Sequence, residues 1–255
     1  MSKFAANLSL LFKEFEFTDR FAKAAEFPFS AVELMYPYDE DINEIKAALD
    51  AAGLPLTLFN APVGDQFGYA ANVELPVFKK LMQPALEYAE VLRPEKMHIL
   101  SGLVEHTAEA SQRYIANISW AATKLERLNV LAVIEPINGY SIPGYFLNDL
   151  DQALKLVAAI DHPNVKILFD IFHLQQIHGD LIHQLEKVTT AGLLGHVQVA
   201  GVPARNEPGT GEVNEALIFK ALDVAGYQGY VGAEYNPKAD TISGLGWLDN
   251  HVSTP

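Results

Sequence analysis

The chain has 255 residues, 49% hydrophobic and 20% charged, a balance that builds a large core without disulfides or a structural metal. Its formal net charge is −14, and no basic stripe is present to neutralise phosphates, which argues against a nucleic-acid partner. There is no cysteine, so disulfides, thiolate nucleophiles and Cys-type zinc sites are excluded.

Met1 to Leu11 carries one lysine and a brief apolar stretch. It reads as a first strand, Phe4–Leu10, and not as a signal peptide. A second strand is predicted at Ala31–Tyr36. The helix Asp41–Ala52 follows, with Ile42, Ile45, Ala48 and Leu49 on one face and Gly53 as its stop. The third strand, Pro55–Asn60, leads into Ala61–Asn72, which holds Pro62, Gly64 and Gly68. At about a dozen residues this is long for a strand-to-helix loop, and a functional lid is one reading of that length. Val77–Leu92 reads as a helix, Lys96–Leu100 as the fourth strand, Ala108–Leu128 as a helix and Val130–Glu135 as the fifth strand. Asn148–Ile160 reads as a helix capped by Asn148, followed by the sixth strand, Val165–Asp170, and the seventh, Leu194–Ala200. The helix Asn214–Ala225 stops at Gly226, before the eighth strand, Tyr230–Tyr235.

Each strand is short and apolar at consecutive positions, as in parallel strands buried on both faces. About eight βα units in such a length predict an α/β fold, a single (β/α)8 barrel spanning residues 1–255. The alternative is an open doubly wound sheet. That architecture usually carries a Gly-rich phosphate loop after the first strand, and none follows Leu10. No apolar run approaches the ~20 residues a membrane helix needs. The expectation is a cytoplasmic protein with a small-molecule partner and no membrane; a homo-oligomer is left open.

Four apolar runs in the second half end on a ligand-type side chain: Val133-Ile134-Glu135, Ile167-Leu168-Phe169-Asp170, His196-Val197-Gln198 and Val231-Gly232-Ala233-Glu234. They are spaced at 35, 28 and 36 residues, room for one strand, one helix and two loops. A carboxylate buried in an apolar strand is costly unless an opposite charge faces it. In eight-fold barrels the site lies at the C-terminal strand ends, where these four residues fall. Glu135, Asp170, Gln198 and Glu234 are all hard oxygen donors, a set suited to Mg²⁺ or Mn²⁺. Glu135 and Glu234, on strands five and eight, are also placed to move a proton between adjacent carbons of a small substrate, through an enediolate. Asp170 and Gln198 are then anchors only.

His173 follows Asp170 by three residues and either reaches the same pocket or caps the next helix. Arg205, in the loop after strand seven, either holds a substrate carboxylate in bidentate fashion or pairs with Glu207 at the surface. Glu207 and Lys238 complete the candidate substrate-binding set. His98, His178, His183 and His196 carry little weight, and His196 reads as a hydrogen-bonded core histidine on the Gln198 side of its strand. For Phe12, Tyr36, Phe59 and Phe172, core packing is preferred over a pocket wall.

Ala6-Asn7-Leu8-Ser9, Ile134-Glu135-Pro136-Ile137-Asn138, Ile142-Pro143-Gly144-Tyr145, Asp170-Ile171-Phe172-His173, Glu207-Pro208-Gly209-Thr210-Gly211-Glu212 and Gly232-Ala233-Glu234-Tyr235 together resemble the hydroxypyruvate isomerase family of the xylose-isomerase-like barrels. The resemblance spans essentially the whole chain. It implies that Glu135 and Glu234 are the proton-transfer pair, that Asp170 and Gln198 complete a divalent-metal site, and that His173 and Arg205 touch substrate. The implied reaction interconverts hydroxypyruvate and tartronate semialdehyde. Related ketose 3-epimerases carry histidine at the Gln198 position, so the amide favours the isomerase branch. The sequence departs from the family pattern at Val63–Leu75, which is shorter and has no arginine. Val202-Pro203-Ala204-Arg205 and Gly244-Leu245-Gly246-Trp247 are also similar to 2-oxo-tetronate isomerases, a sister group with the same chemistry on a four-carbon acid. An endonuclease IV-type nuclease shares the barrel but needs a histidine-rich multi-metal site and a basic groove. A non-catalytic sugar-acid binder would have little need of two opposed glutamates.

Overall fold

In chain order the computed structural model, which describes residues 2–251, runs β1 (Lys3–Asn7), α1 (Asp19–Ala25), β2 (Ala31–Leu34), α2 (Ile42–Ala52), β3 (Leu56–Asn60), α3 (Leu75–Leu81) and α4 (Gln83–Leu92). It continues through β4 (Lys96–His98), α5 (Ala108–Glu126), β5 (Leu131–Ile134), α6 (Leu150–Ile160), β6 (Val165–Asp170), α7 (Ile171–Ile177) and α8 (Leu181–Thr190). β7 (Leu194–Val199), α9 (Glu215–Val224), β8 (Tyr230–Ala233) and α10 (Thr241–Gly244) complete it. All eight strands are parallel and close in sequence order, with β1 against β8. This is the predicted (β/α)8 barrel.

Alternation along the strands separates two apolar cores. Phe59, Ala132, Ile134, Ile167 and Phe169 face outward into the main core under the helices, while Leu58, Val133 and Leu168 form a small cluster of their own on the barrel axis. Register aligns the strand ends that matter. Asp170 pairs with Gln198 and Gln198 with Gly232, so one level of the rim crosses β6, β7 and β8.

Local chemistry explains where the elements differ from expectation. The predicted helix Val77–Leu92 is two helices, because Pro84 has no N–H to donate and its ring would strike the carbonyl of Lys80. The cap of α6 is Asp149, not Asn148: the Asp149 carboxylate accepts from Gln152 N at 2.9 Å. Gly53 does terminate α2, in a left-handed conformation at φ 65° that a Cβ would strain. Several strands stop one to three residues short of their predicted ends, and Met35, Tyr36, Leu100, Glu135 and Glu234 among those residues line the pocket.

Candidate active site

Glu135 follows the last residue of β5, and Glu234 follows the last residue of β8. Both are buried, as are Asp170 at the end of β6 and Gln198 within β7. A cavity of about 280 Å³ opens at this end of the barrel, lined by Glu135, Glu234, His173, Arg205, His98, Tyr36 and Asn60 among polar residues. Met35, Phe67, Leu100, Ile137 and Ile142 supply its apolar wall. Asp170 and Gln198 lie behind the lining, in contact with it through Arg205 and Glu234. A larger groove of about 400 Å³ between α8 and α9 lacks convergent polar groups of this kind.

Glu234 is the most connected carboxylate. Its Oε2 accepts from Gln198 Nε2 at 2.6 Å and from Asn7 Nδ2 at 3.2 Å, and its Oε1 meets Arg205 Nη2 at 2.5 Å. Arg205 also lies 3.6 Å from Asp170 and stacks 5.0 Å above the Phe172 ring. The loop geometry aims it there. Gly201 and Asn206 form an antiparallel bridge, and Arg205 sits between them at φ 55°, bent back over the barrel mouth. The surface pair with Glu207 is therefore not formed.

Asp170 has two tasks. Its Oδ1 caps α7, accepting from Phe172 N at 2.7 Å and His173 N at 3.3 Å, which leaves Oδ2 toward the site. The helix cap is thus Asp170, and His173 turns its ring into the cavity, with Nε2 3.8 Å from both Glu135 Oε1 and Asp170 Oδ2. The backbone N–H of Asn138 donates to His173 Nδ1 at 3.3 Å, so in the neutral ring the proton resides on Nε2.

Burial sets the proton affinities. It raises Glu135 well above the usual carboxylate range, and the neighbouring Asp170 and Glu234 charges add to it. Glu234 is pushed up to about 7 by burial, with Arg205 opposing. Asp170 is raised by burial, against the pull of Arg205 and the two cap N–H groups. Burial and then Arg205 hold His173 well below its ordinary value, and burial, His173 and His196 push His98 down to about 3.

Do these residues fit a divalent ion? Once ionised, the three carboxylates against one guanidinium would leave two negative charges in a buried pocket, the charge a divalent cation carries and the reason burial raises their proton affinities. Glu135 Oε1 is buried with no hydrogen-bond partner, a lone pair free to ligate. Glu135, Asp170 and His173 each offer an atom within 4.8 Å of the others. The Nε2 proton of His173 makes it a donor rather than a ligand. Of the four residues read as ligands, Glu135 and Asp170 belong to this group, Glu234 lies outside it and meets Asp170 through Arg205, and Gln198 donates to Glu234. The donor chemistry fits.

Glu207 and Lys238 do not line this cavity. They flank a separate groove beside Trp247, where Glu207 Oε1 accepts from the backbone N–H of Lys238 at 2.9 Å. Three buried polar positions around the site were not singled out as candidates in the sequence. Asn7 and Asn138 orient Glu234 and His173, and Glu33 in β2 is fully buried against His196 and Gln198. His98, discounted in the sequence, lies in the wall 3.5 Å from Glu135. His196 is a buried hydrogen-bonded histidine, as its position implied.

Comparison with known proteins agrees with this fold. Residues 21–251 match the family model described as "Xylose isomerase-like TIM barrel". A protein of Cupriavidus necator named 2-oxo-tetronate isomerase is 41% identical, covering 99% of each chain. One of Escherichia coli named hydroxypyruvate isomerase is 39% identical over 98% of this chain and 99% of its own. A crystal structure from Brucella melitensis described as "AP endonuclease, family 2" superposes with a TM-score of 0.94 at 38% identity, covering 99% of this chain and all of that one.

Proposed function

Since the chain belongs to the xylose isomerase-like TIM-barrel family and is an isomerase within it, we propose that it interconverts hydroxypyruvate and tartronate semialdehyde (2-hydroxy-3-oxopropanoate) by two-glutamate proton transfer. The observation that carries this reading is the pair Glu135 and Glu234 in the wall of one small cavity, both with proton affinities raised by burial. Such carboxylates can take a proton from carbon and return it near neutral pH.

One glutamate removes a proton from C3 of hydroxypyruvate, leaving an enediolate across C2 and C3. The other delivers a proton to C2, and the C3 hydroxyl proton passes to the C2 oxygen, giving the aldehyde with no net loss of atoms. His173 Nε2–H is the donor facing those oxygens. Arg205 Nε is buried without a hydrogen-bond partner, so the guanidinium keeps capacity for the substrate carboxylate. A Mg²⁺ or Mn²⁺ ion held by Glu135, Asp170, Gln198 and Glu234 would supply polarisation of the carbonyl.

The Escherichia coli relative's name supports hydroxypyruvate as the substrate. The Cupriavidus relative's name supports 2-oxo-tetronate as the second reading. The ketose 3-epimerase reading is weaker, because Gln198 stands where those enzymes resemble one another in carrying histidine. The net charge of −14 tells against a nuclease.

Proton NMR of a substrate panel in deuterated buffer tests the assignment by the carbon that exchanges. Hydroxypyruvate should exchange at C3 and yield the aldehyde. Glu135→Gln and Glu234→Gln should each lower turnover by about 10³-fold or more, within the range for loss of general acid–base catalysis. More than a tenth of the wild-type rate in both variants would overturn the two-glutamate scheme.

A further inference from the structure

Glu33 is a buried carboxylate that the reaction scheme leaves without a task. It sits in β2 at 0% exposure. Its Oε1 lies 2.5 Å from His196 Nε2, and its Oε2 accepts from Gln198 Nε2 at 2.9 Å. Gly232 makes the space: a Cβ there would lie 2.3 and 2.4 Å from the two carboxylate oxygens. Three strands, β2, β7 and β8, thus cooperate to seat one carboxylate against one amide.

We propose that Glu33 is a positioning residue that fixes which end of the Gln198 amide faces the divalent-cation site, an inference that rests on reading Glu135, Asp170, Gln198 and Glu234 as the ligand set. A primary amide has two N–H donors and one oxygen able to ligate. Gln198 directs Nε2 to Glu33 at 2.9 Å and to Glu234 at 2.6 Å, so its oxygen is the atom left for a cation. Turned over, the amide would set its oxygen against the Glu33 carboxylate, acceptor to acceptor, and present N–H to the ion. Glu33 Oε2 accepts from Gln198 whether Glu33 is ionised or carries a proton on Oε1 toward His196. The orientation therefore depends on the reach of the side chain and not on its charge.

That distinction gives the test. Mn²⁺ binding to the metal-free full chain is measured by the electron paramagnetic resonance of the free ion, for wild type, Glu33→Gln and Glu33→Asp. Glu33→Gln keeps an acceptor oxygen at the same reach and should hold Mn²⁺ within about threefold of wild type, well inside the effect of losing such a partner. Glu33→Asp keeps the charge but is one methylene short, and should weaken Mn²⁺ binding by about 10- to 100-fold. Where Glu33→Asp does not fold, Glu33→Met fills the same space without an acceptor and carries the same expectation. Thermal melts without metal report folding separately. A purely structural role would lower the melting temperature of Glu33→Asp and leave Mn²⁺ affinity unchanged, and that result overturns the proposal. A wild-type chain that binds no Mn²⁺ overturns the ligand-set reading itself, and the proposal with it.

Discussion

Arg205 concentrates the electrostatics of the site in one side chain. It meets Glu234 at 2.5 Å and Asp170 at 3.6 Å, and its guanidinium carbon lies 5.0 Å from the centre of the Phe172 ring. Only a planar fork satisfies two carboxylates and an aromatic face while keeping donors for a substrate. Arg205→Lys should therefore raise KM more than it lowers kcat, with kcat/KM down by about tenfold or more. Steady-state kinetics on hydroxypyruvate check this, and an unchanged KM would show that the guanidinium does not hold the substrate. At this scale the sequence was informative where chemistry is repeated at an interval. Glu135, Asp170, Gln198 and Glu234 stood out because strand-ending polar groups recur with the βα period. His173 and Arg205 were legible only by their closeness to that series. Glu33 was not, because one glutamate in Ala31-Val32-Glu33-Leu34 looks like a strand with a polar face, and its partners His196 and Gln198 lie 163 and 165 residues away. Glu207 was grouped with Arg205 by chain proximity and Lys238 by its place just past strand eight, and both flank another groove.

Among the elements, the eight strands were legible because each is a short apolar run, while their ends were not, because a rim residue is as buried as a strand residue. The helix break before Pro84 follows from proline's missing N–H, a local rule that outweighs an unbroken apolar period. The segment between β3 and α3 is the element most exposed to a single change. Phe67, at φ 49°, lines the cavity, and Gly68 at φ 121° bridges to Ser101. A Cβ on Gly68 would lie 2.4 Å from the backbone oxygen of Leu100, in a conformation L-residues avoid. Gly68→Ala should lower stability by about 1–3 kcal/mol and shift Phe67, raising KM severalfold with a smaller effect on kcat. Thermal melting and substrate kinetics check both parts; wild-type values in each would mean the segment does not shape the pocket.

Taken as a whole, the molecule gathers buried carboxylates and buried histidines at one end of a barrel, and their opposite shifts fix how stability responds to pH. Glu33 is raised from 4.5 to about 8 and Glu234 from 4.5 to about 7, chiefly by burial, and Glu135 and Asp170 move the same way. A group with a raised folded value stabilises fully below its unfolded value, and that contribution is lost as pH climbs through the folded one. His98 falls from 6.5 to about 3, and His173 and His196 fall well below 6.5, again by burial. Their contribution is full above 6.5 and is lost as pH drops. The two sets oppose each other between 4.5 and 6.5, and only the carboxylates titrate between 6.5 and 8. In EDTA the melting temperature should therefore fall as pH rises from 6.5 to 8, by a slope of about 1.4 kcal/mol per pH unit for each proton by which the folded chain exceeds the unfolded. Saturating Mn²⁺ should flatten or invert the trend, because a bound cation favours the ionised carboxylates and competes with protons. Differential scanning calorimetry across that window, with and without the ion, decides the matter. A melting temperature independent of pH in EDTA would mean that burial does not hold these carboxylates protonated in the metal-free chain.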